Sequence, residues 1–240
     1  MKLQNLKPRS HIAACIFLTA VLLGGTARGQ IYHTNNFSFS VGTLIPDGDP
    51  NGLANNQVLG GMVDSIYSVT VGLNISGGFN GDLYGYLRLG GTSSILLNRP
   101  GLGIANTDGY NNTGFNMTFT PTATDNIHFY QAFTYNLNGN GQLTGTWQPD
   151  GRAIDPQSPP SLFDSTPPTA LLNLFDGASP NGTWTLFMAD MASGAQSDLA
   201  GWNLQIITVP EPPAWALLVP GACWLCWRLR ASRGSKLRGR

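Results

Sequence analysis

Two segments in the second half of this chain alternate apolar and polar residues with a period of two. In the segment 183–189, Trp184, Leu186 and Met188 fall on one face, and the segment 201–208 repeats the pattern. Such alternation is typical of a half-buried β-strand, because successive side chains of a strand point to opposite faces of its sheet. We therefore expect these two strands to pair with each other and to carry their tryptophans into one core.

The middle of the chain is patterned throughout as an all-β domain. Segments rich in Val, Ile, Tyr, Phe and Thr are separated by clusters of Gly, Asn, Asp and Pro, and no segment sustains a 3.6-residue period. The predicted strands are 65–75, 83–89, 94–97, 114–120, 127–137, 142–147, 170–175, 183–189 and 201–208. Nine strands indicate a jelly-roll-like β-sandwich over residues 30–208.

This central domain is strongly acidic although the whole chain is formally neutral. Residues 30–209 contain three arginines, twelve aspartates and neither lysine nor glutamate, which gives a formal charge of −9. The charge argues against nucleic acid as a partner, since phosphates would be repelled, and it favours hard cations such as calcium. The domain also lacks cysteine, so no disulfide framework can hold it together.

Three aspartates in predicted loops are the candidate ligands of a structural calcium ion. Asp47 lies in a Pro-Asp-Gly-Asp turn, Asp82 precedes a predicted strand, and Asp190 ends another. Calcium takes six to eight oxygen ligands, which loops of Asp, Asn and Gly at one end of a sandwich supply readily. The alternative is ordinary turn chemistry, in which each carboxylate accepts hydrogen bonds from its own backbone.

The N-terminal residues 1–29 have the three parts of a secretory signal peptide. Lys2, Lys7 and Arg9 precede an apolar run at 12–23, and small residues follow it. Cleavage by signal peptidase after Gly29 would leave Gln30 as the first residue of the exported chain. The alternative is a retained membrane anchor.

The C-terminal residues 209–240 also have three parts in a fixed order. A Val-Pro-Glu-Pro motif at 209–212 precedes an apolar run at 214–227, and a basic tail fills 228–240. The apolar run is shorter than the roughly 20 residues that a spanning helix needs, but the basic cluster after it would hold the tail in the cytoplasm. The same arrangement is expected of a plain single-pass anchor.

The three parts resemble the PEP-CTERM sorting signal of Gram-negative bacteria. The resemblance implies that a membrane-embedded exosortase processes the tail around Pro210, Glu211 and Pro212. It also implies export to the cell envelope, the outer surface or the medium, after transient anchoring in the inner membrane.

Several motifs of the central domain resemble the P domain of subtilisin-like proprotein convertases. Phe-Asp-Gly at 175–177 is followed by the segments 182–190 and 198–204 in the familiar order, and Gly-Asp-Leu at 81–83 matches less fully. The resemblance implies a jelly-roll sandwich of the kind that is fused to serine endopeptidases. A polar insertion at 138–168 departs from the family; we interpret it as a loop in which 142–147 forms one arm of a hairpin.

The central domain offers few groups for catalysis. Its only histidines are His33, next to the predicted mature terminus where order is expected to be poor, and His128, in an apolar predicted strand. We therefore predict a non-catalytic structural or interaction module of the envelope or extracellular matrix. Its predicted partners are exopolysaccharide or other surface proteins, and the possible stacking groups are Tyr84, Tyr86, Tyr110 and Tyr130. The alternative is an accessory domain that stabilises or assists a serine-type endopeptidase.

Overall fold

The computed structural model describes residues 30–210. The chain divides between Ile31 and Tyr32 into two units, and the second unit holds all the described strands. The predicted export signal with Gly29, and the sorting segment with Glu211 and Pro212, lie outside the described residues. Gln30 and Pro210, at the two predicted processing sites, are exposed. Within residues 30–210, no helix has the length and apolar character needed to cross a membrane.

Nine strands of the described region form two sheets on either side of one core. In chain order they are β1 (His33–Ile45), β2 (Asp49–Leu59), β3 (Ser65–Gly77), β4 (Leu83–Leu89), β5 (Thr92–Asn98), β6 (Phe115–Phe119), β7 (Leu143–Trp147), β8 (Gly182–Asp190) and β9 (Ser197–Val209). The five-stranded sheet has the order β1-β9-β3-β6-β7, and the four-stranded sheet has the order β2-β8-β4-β5. The same region contains helix α1 (Pro160–Ser165) and 3-10 helices at Asn80–Asp82, Ile127–Ala132 and Leu172–Phe175.

The period-two alternation of the sequence sorts each strand into a buried and an exposed face. In β3, Val69, Val71 and Leu73 are buried in the core, while Thr70 and Gly72 between them face outward. Each large aliphatic side chain that is fully buried stabilises the fold by about 1.5–3 kcal/mol. The predicted all-β sandwich is confirmed. Strands lie within or across the predicted segments 65–75, 83–89, 94–97, 114–120, 142–147, 183–189 and 201–208.

The predicted pairing of the two tryptophan-bearing strands is wrong. β8 lies between β2 and β4, whereas β9 lies between β1 and β3 in the other sheet. Periodicity identifies the buried face of a strand but does not say which sheet the strand joins. Both tryptophans are nevertheless in the core, as predicted. The indole N–H of Trp184 donates to the backbone oxygen of Pro180, and that of Trp202 donates to the side chain of Asn55, both at 2.9 Å.

Two predicted strands are 3-10 helices instead. In the segment 127–137, Asn126 caps the helix Ile127–Ala132 by accepting a hydrogen bond from the backbone N–H of His128 at 3.0 Å. The segment 170–175 contains the helix Leu172–Phe175. Both segments place apolar side chains in the core, so their composition alone looked like that of buried strands.

Strands β1 and β2 were not predicted. β1 turns Phe37 and Phe39 inward, but Asn, Ser and Thr between them weaken the apolar signal. His33 is not in a poorly ordered terminus: it is the first residue of β1 and lies opposite Thr208 of β9. β2 is mostly polar, and its pairing with β8 is what makes it a strand.

The insertion 138–168 is more ordered than a loop. Its strand β7 runs parallel to β6 at the edge of the five-stranded sheet. The start of the predicted hairpin arm 142–147 also pairs with the preceding segment: Leu143 forms an antiparallel bridge with Leu137, and the backbone N–H of Thr144 donates to the backbone oxygen of Asn136 at 2.9 Å. Helix α1 follows, and Phe163 on it is fully buried.

Candidate functional site

The three predicted calcium ligands lie at one end of the sandwich. β1 and β8 end there, and β2, β4 and β9 begin there. In register, Asp190 lies opposite Asp49 of β2 and Leu83 of β4. Asp82 immediately precedes β4, and Asp47 lies in the turn between β1 and β2. The fold thus brings Asp47, Asp82 and Asp190 to the same end, which we call the acidic end.

Asp190 is the most deeply placed of these carboxylates. Its side chain is fully buried and accepts hydrogen bonds from the backbone N–H of Ala192 at 3.3 Å and the hydroxyl of Ser197 at 3.4 Å. Burial, together with the negative charges of Asp82 and Asp47, raises the pKa of Asp190 to about 6. A cation placed here would relieve both effects.

An arginine already supplies positive charge to the acidic end. The Nη2 atom of Arg99 lies 3.8 Å from Asp82 Oδ1, and its Nε–H donates to the backbone oxygen of Gly81 at 3.2 Å. Burial raises the pKa of Asp82, and the charge of Arg99 partly offsets that rise. Arg99 has φ = 50°, a left-handed conformation that non-glycine residues rarely adopt, so the fold holds it in place against local strain.

The other carboxylates at this end are used by nearby turns. Asp47 accepts hydrogen bonds from the backbone N–H of Gly194, and Asp49 accepts them from the backbone and side chain of Asn51. In the described part of the chain, no three His, Cys, Asp or Glu side chains converge in an arrangement that could hold a metal ion. The geometry therefore matches the alternative of turn chemistry for Asp49, whereas Asp47 bonds the backbone of a distant loop, and calcium stays a prediction.

The two histidines of the domain are both engaged with carboxylates. His128 is fully buried in a 3-10 helix, not in a strand. Its Nδ1 lies 2.8 Å from Asp150 Oδ2 and its Nε2 lies 3.0 Å from the backbone oxygen of Leu102. Asp150 also bonds Arg152 at 3.1 Å. This buried network links the insertion to the 3-10 helix Ile127–Ala132. His33 lies 2.9 Å from Asp64 at the start of β1.

The four tyrosines proposed as stacking groups do not lie together. Tyr130 is fully buried and Tyr110 packs against it at 4.6 Å, so Tyr130 is a core residue and does not face a ligand. Tyr84 and Tyr86 lie half-buried on the outer face of the four-stranded sheet. Tyr86 stacks on Phe187 there at 4.9 Å, which already covers one face of its ring.

Sequence reasoning missed the outer face of the five-stranded sheet. Three neighbouring rows of side chains cross this face and contain only uncharged polar residues and glycine. We call it the polar face. Its members are Asn36, Ser38, Ser40, Thr70, Gly72, Asn74, Asn116, Thr118, Thr144, Thr146, Gly201, Asn203 and Gln205. These residues come from five strands spread over the chain, so only the strand register reveals that they share one surface.

Two adjoining shallow depressions of about 340 and 380 Å³ lie on the polar face. Both are lined by Gly72, Thr118 and Asn203, and Gly72 contributes no side chain to either. Hydrogen bonds fix several of the amides around them. Gln205 donates to Asn36 at 2.8 Å, and Gln142 donates to Asn74 at 3.0 Å. The side chains around the depressions are thus partly preorganised.

Comparison with known proteins gives similarity to solved structures only. No protein-family model matches the chain, and no curated protein matches it. The chain is similar to the serine protease of Aeromonas sobria, at 15% identity for the protease and 14% for its complex with a chaperone. Each match has a TM-score of 0.41 and covers 80% of this chain and 29% of the other. The chain therefore spans less than a third of the protein that it matches.

Proposed function

We propose that this chain is an exported, surface-sorted and non-catalytic β-sandwich that binds a neutral glycan on its polar face. The observation that supports the proposal most directly is the absence of charge from three rows of that face, in a domain whose formal charge is −9. Twelve aspartates are distributed over the domain, yet none stands in these rows.

The chemistry of the polar face matches that of a sugar chain. Asn, Gln, Ser and Thr side chains both donate and accept hydrogen bonds, as sugar hydroxyls do. An uncharged ligand does not suffer repulsion from the acidic domain, and neither partner has to desolvate an ion. Small-molecule sites are clefts that enclose most of their ligand, whereas the two depressions are open and adjoin each other. A polysaccharide lying along them is therefore the better fit.

Export and sorting complete the proposal. The signal-peptide pattern of 1–29 and the resemblance of 209–240 to a PEP-CTERM segment support delivery to the cell surface, where exopolysaccharide is found. Signal peptidase and an exosortase are the proposed processing enzymes. The sequence resemblance to a P domain supports a role for the sandwich as a stable module rather than as a catalyst. Calcium at Asp47, Asp82 and Asp190 is a proposed structural cofactor.

Native affinity electrophoresis tests the glycan proposal on the full-length chain in a non-ionic detergent without sugar headgroups, at an alkaline pH where the chain, formally neutral at pH 7, migrates as an anion. We expect gels containing the neutral polysaccharide dextran or hydroxyethylcellulose to retard the chain, and gels containing anionic alginate to leave its mobility unchanged. Retardation should persist in added salt, because no ion pair contributes to it. Equal mobility in all gels, or retardation by alginate alone, would contradict the proposal.

A pair of matched variants locates the site. Gly72→Val fills the shared part of the depressions; the nearest atom to an added Cβ is the side-chain nitrogen of Asn203 at 3.1 Å, which can move. Ala54→Val creates the same valine side chain at an exposed position of β2, on the other sheet. We expect Gly72→Val to abolish the retardation and Ala54→Val to preserve it. Loss in both variants, or in neither, would place the site elsewhere.

The second candidate function is that of an accessory domain of a serine endopeptidase, which the motifs at 182–190 and 198–204 favour. Incubation of the purified chain with a fluorophosphonate probe separates the two. We expect no serine to be labelled. Labelling of any serine of this chain would overturn the non-catalytic assignment.

A further inference from the structure

Both described chain ends lie at the end of the sandwich opposite the acidic end. β1 begins at His33 and β9 ends at Val209, with His33 opposite Thr208 in the ladder. β3 begins beside them, since Ser65 lies opposite Val209. We call this part of the molecule the terminal end.

The sequence leaves little distance between the terminal end and the apolar segment 214–227. From Val209 to Ala214 is five residues, which even fully extended span at most about 18 Å. If that segment is held in a bilayer, as the proposed sorting function requires, the terminal end must be the end that faces the lipid. A retained N-terminal anchor would give the same orientation, because β1 begins at the same end.

The terminal end carries exposed apolar and aromatic side chains. Val63 in the β2–β3 loop is 95% exposed and Val58 near the end of β2 is 80% exposed. Tyr67 and Tyr32 are 50% and 45% exposed, and their rings are in contact at 4.7 Å between centroids. Tyrosine is favoured at membrane interfaces, where the ring enters the apolar boundary and the hydroxyl stays hydrated.

The carboxylates of the domain are concentrated at the end that would point away from a bilayer. Asp47, Asp82 and Asp190 lie at the far end. At the terminal end, Asp64 is largely covered and bonds His33 at 2.9 Å. Asp176, in the loop beside the start of β3, is exposed, and partial desolvation raises the pKa of its carboxyl group. The terminal end therefore repels anionic headgroups less than the acidic end would.

We propose that the terminal end is a membrane-contacting surface, in which Val58, Val63, Tyr32 and Tyr67 rest in the headgroup region of the bilayer that holds the C-terminal segment. The inference rests on the anchoring step of the proposed function. This membrane contact holds the sandwich upright, with the acidic end pointing away from the lipid, until the chain is processed.

Site-specific fluorescence quenching tests this orientation on the full chain. Serine replaces the native Cys15, Cys223 and Cys226, and a single cysteine is introduced by Val63→Cys at the terminal end or by Leu44→Cys as a matched control. Leu44 is an apolar residue, 56% exposed, opposite Asp198 near the acidic end. Each cysteine is labelled with an environment-sensitive fluorophore, and the chain is reconstituted into vesicles of phosphatidylethanolamine and phosphatidylglycerol that contain headgroup spin-labelled lipid.

We expect the label at position 63 to lose most of its emission to the spin-labelled lipid and the label at position 44 to keep it. Tyr32→Ser combined with Tyr67→Ser should reduce the quenching at 63. Co-flotation with vesicles but equal emission at both positions would overturn this inference and leave the anchoring intact. Failure of the chain to co-float at all would overturn the anchoring step and, with it, this inference.

Discussion

At the scale of single residues, the buried carboxylate of Asp190 makes the stability of the domain depend on pH. Burial raises the pKa of Asp190 to about 6, whereas an aspartate in an unfolded chain titrates near about 3.9. Between these values the folded chain binds more protons than the unfolded chain, so the free energy of unfolding should fall as the pH rises from about 4 to about 6.

Asp190→Asn should remove that pH dependence. The variant should be more stable than the wild type at pH 7, by at most about 3 kcal/mol, because two units of pKa correspond to roughly that much. Urea denaturation at pH 4 and pH 7 measures it. Asp125→Asn is the matched control, since Asp125 lies far from the acidic end and bonds only Thr124 through its side chain. The assignment would be contradicted if the wild type became more stable between pH 4 and pH 6 and Asp190→Asn removed that increase.

A calcium ion bound at the acidic end would offset the loss of stability that ionisation of Asp190 causes. A bound cation would favour the ionised form of Asp190, so millimolar calcium should raise the melting temperature of the wild type at pH 7. Asp190→Asn should lose that rise and Asp125→Asn should keep it. A melting temperature that does not change with calcium would remove the calcium proposal, and Arg99 would then be the cation that balances the cluster.

The network of His128, Asp150 and Arg152 is the most sensitive buried polar feature of the insertion. Asp150→Ala leaves the arginine and the imidazole without their shared acceptor, and breaking such a buried pair typically costs about 3–5 kcal/mol. Chemical denaturation measures the loss. The control is Asp155→Asn, an exposed position in the same loop; its amide oxygen can still accept from the backbone N–H of Gln157, which lies 2.8 Å from the native carboxylate, so a change within about 0.5 kcal/mol is expected. Equal effects of the two substitutions would contradict the structural role of the network.

At the scale of strands, β2 depends on a glycine. The register between β2 and β8 shifts between Asp49 and Leu53, and Gly52 in this irregular stretch has φ = 52°. An added Cβ would collide with the backbone oxygen of Met188 and approach Phe187 within 2.8 Å. Gly52→Ala should therefore destabilise the domain by at least about 2 kcal/mol.

Gly60→Ala is the control for this prediction, since Gly60 has no neighbour within 4 Å of an added Cβ and no left-handed φ. Its effect should stay within about 0.5 kcal/mol. Thermal unfolding of the two variants makes the comparison. If Gly52→Ala proves as stable as Gly60→Ala, β2 does not need the irregular register that is described for it.

The elements also show what the sequence could and could not predict. Strands such as β3 and β8 were predictable because alternate residues are strongly apolar. β1 and β2 were not, since their polar residues become strand residues only by pairing with β9 and β8. The gathering of Asp47, Asp82 and Asp190 at one end was predictable from their positions at strand ends. The polar face was not, because its rows depend on long-range register.

At the scale of the whole molecule, the domain has three surfaces of different character. The acidic end collects carboxylates, the opposite end exposes tyrosine and valine where the chain ends lie, and the polar face between them is uncharged. The proposed function uses this separation: the terminal end would contact lipid, and the polar face would contact a polysaccharide.

Hydrogen–deuterium exchange of the full-length chain, with and without dextran, tests the central claim most directly. Dextran should slow the exchange of backbone amides in β3, β6 and β9 around Gly72 and leave β4 and β5 of the other sheet unchanged. Protection confined to the segment around Tyr84 and Tyr86, or no protection anywhere, would contradict the assignment of the glycan site to the polar face.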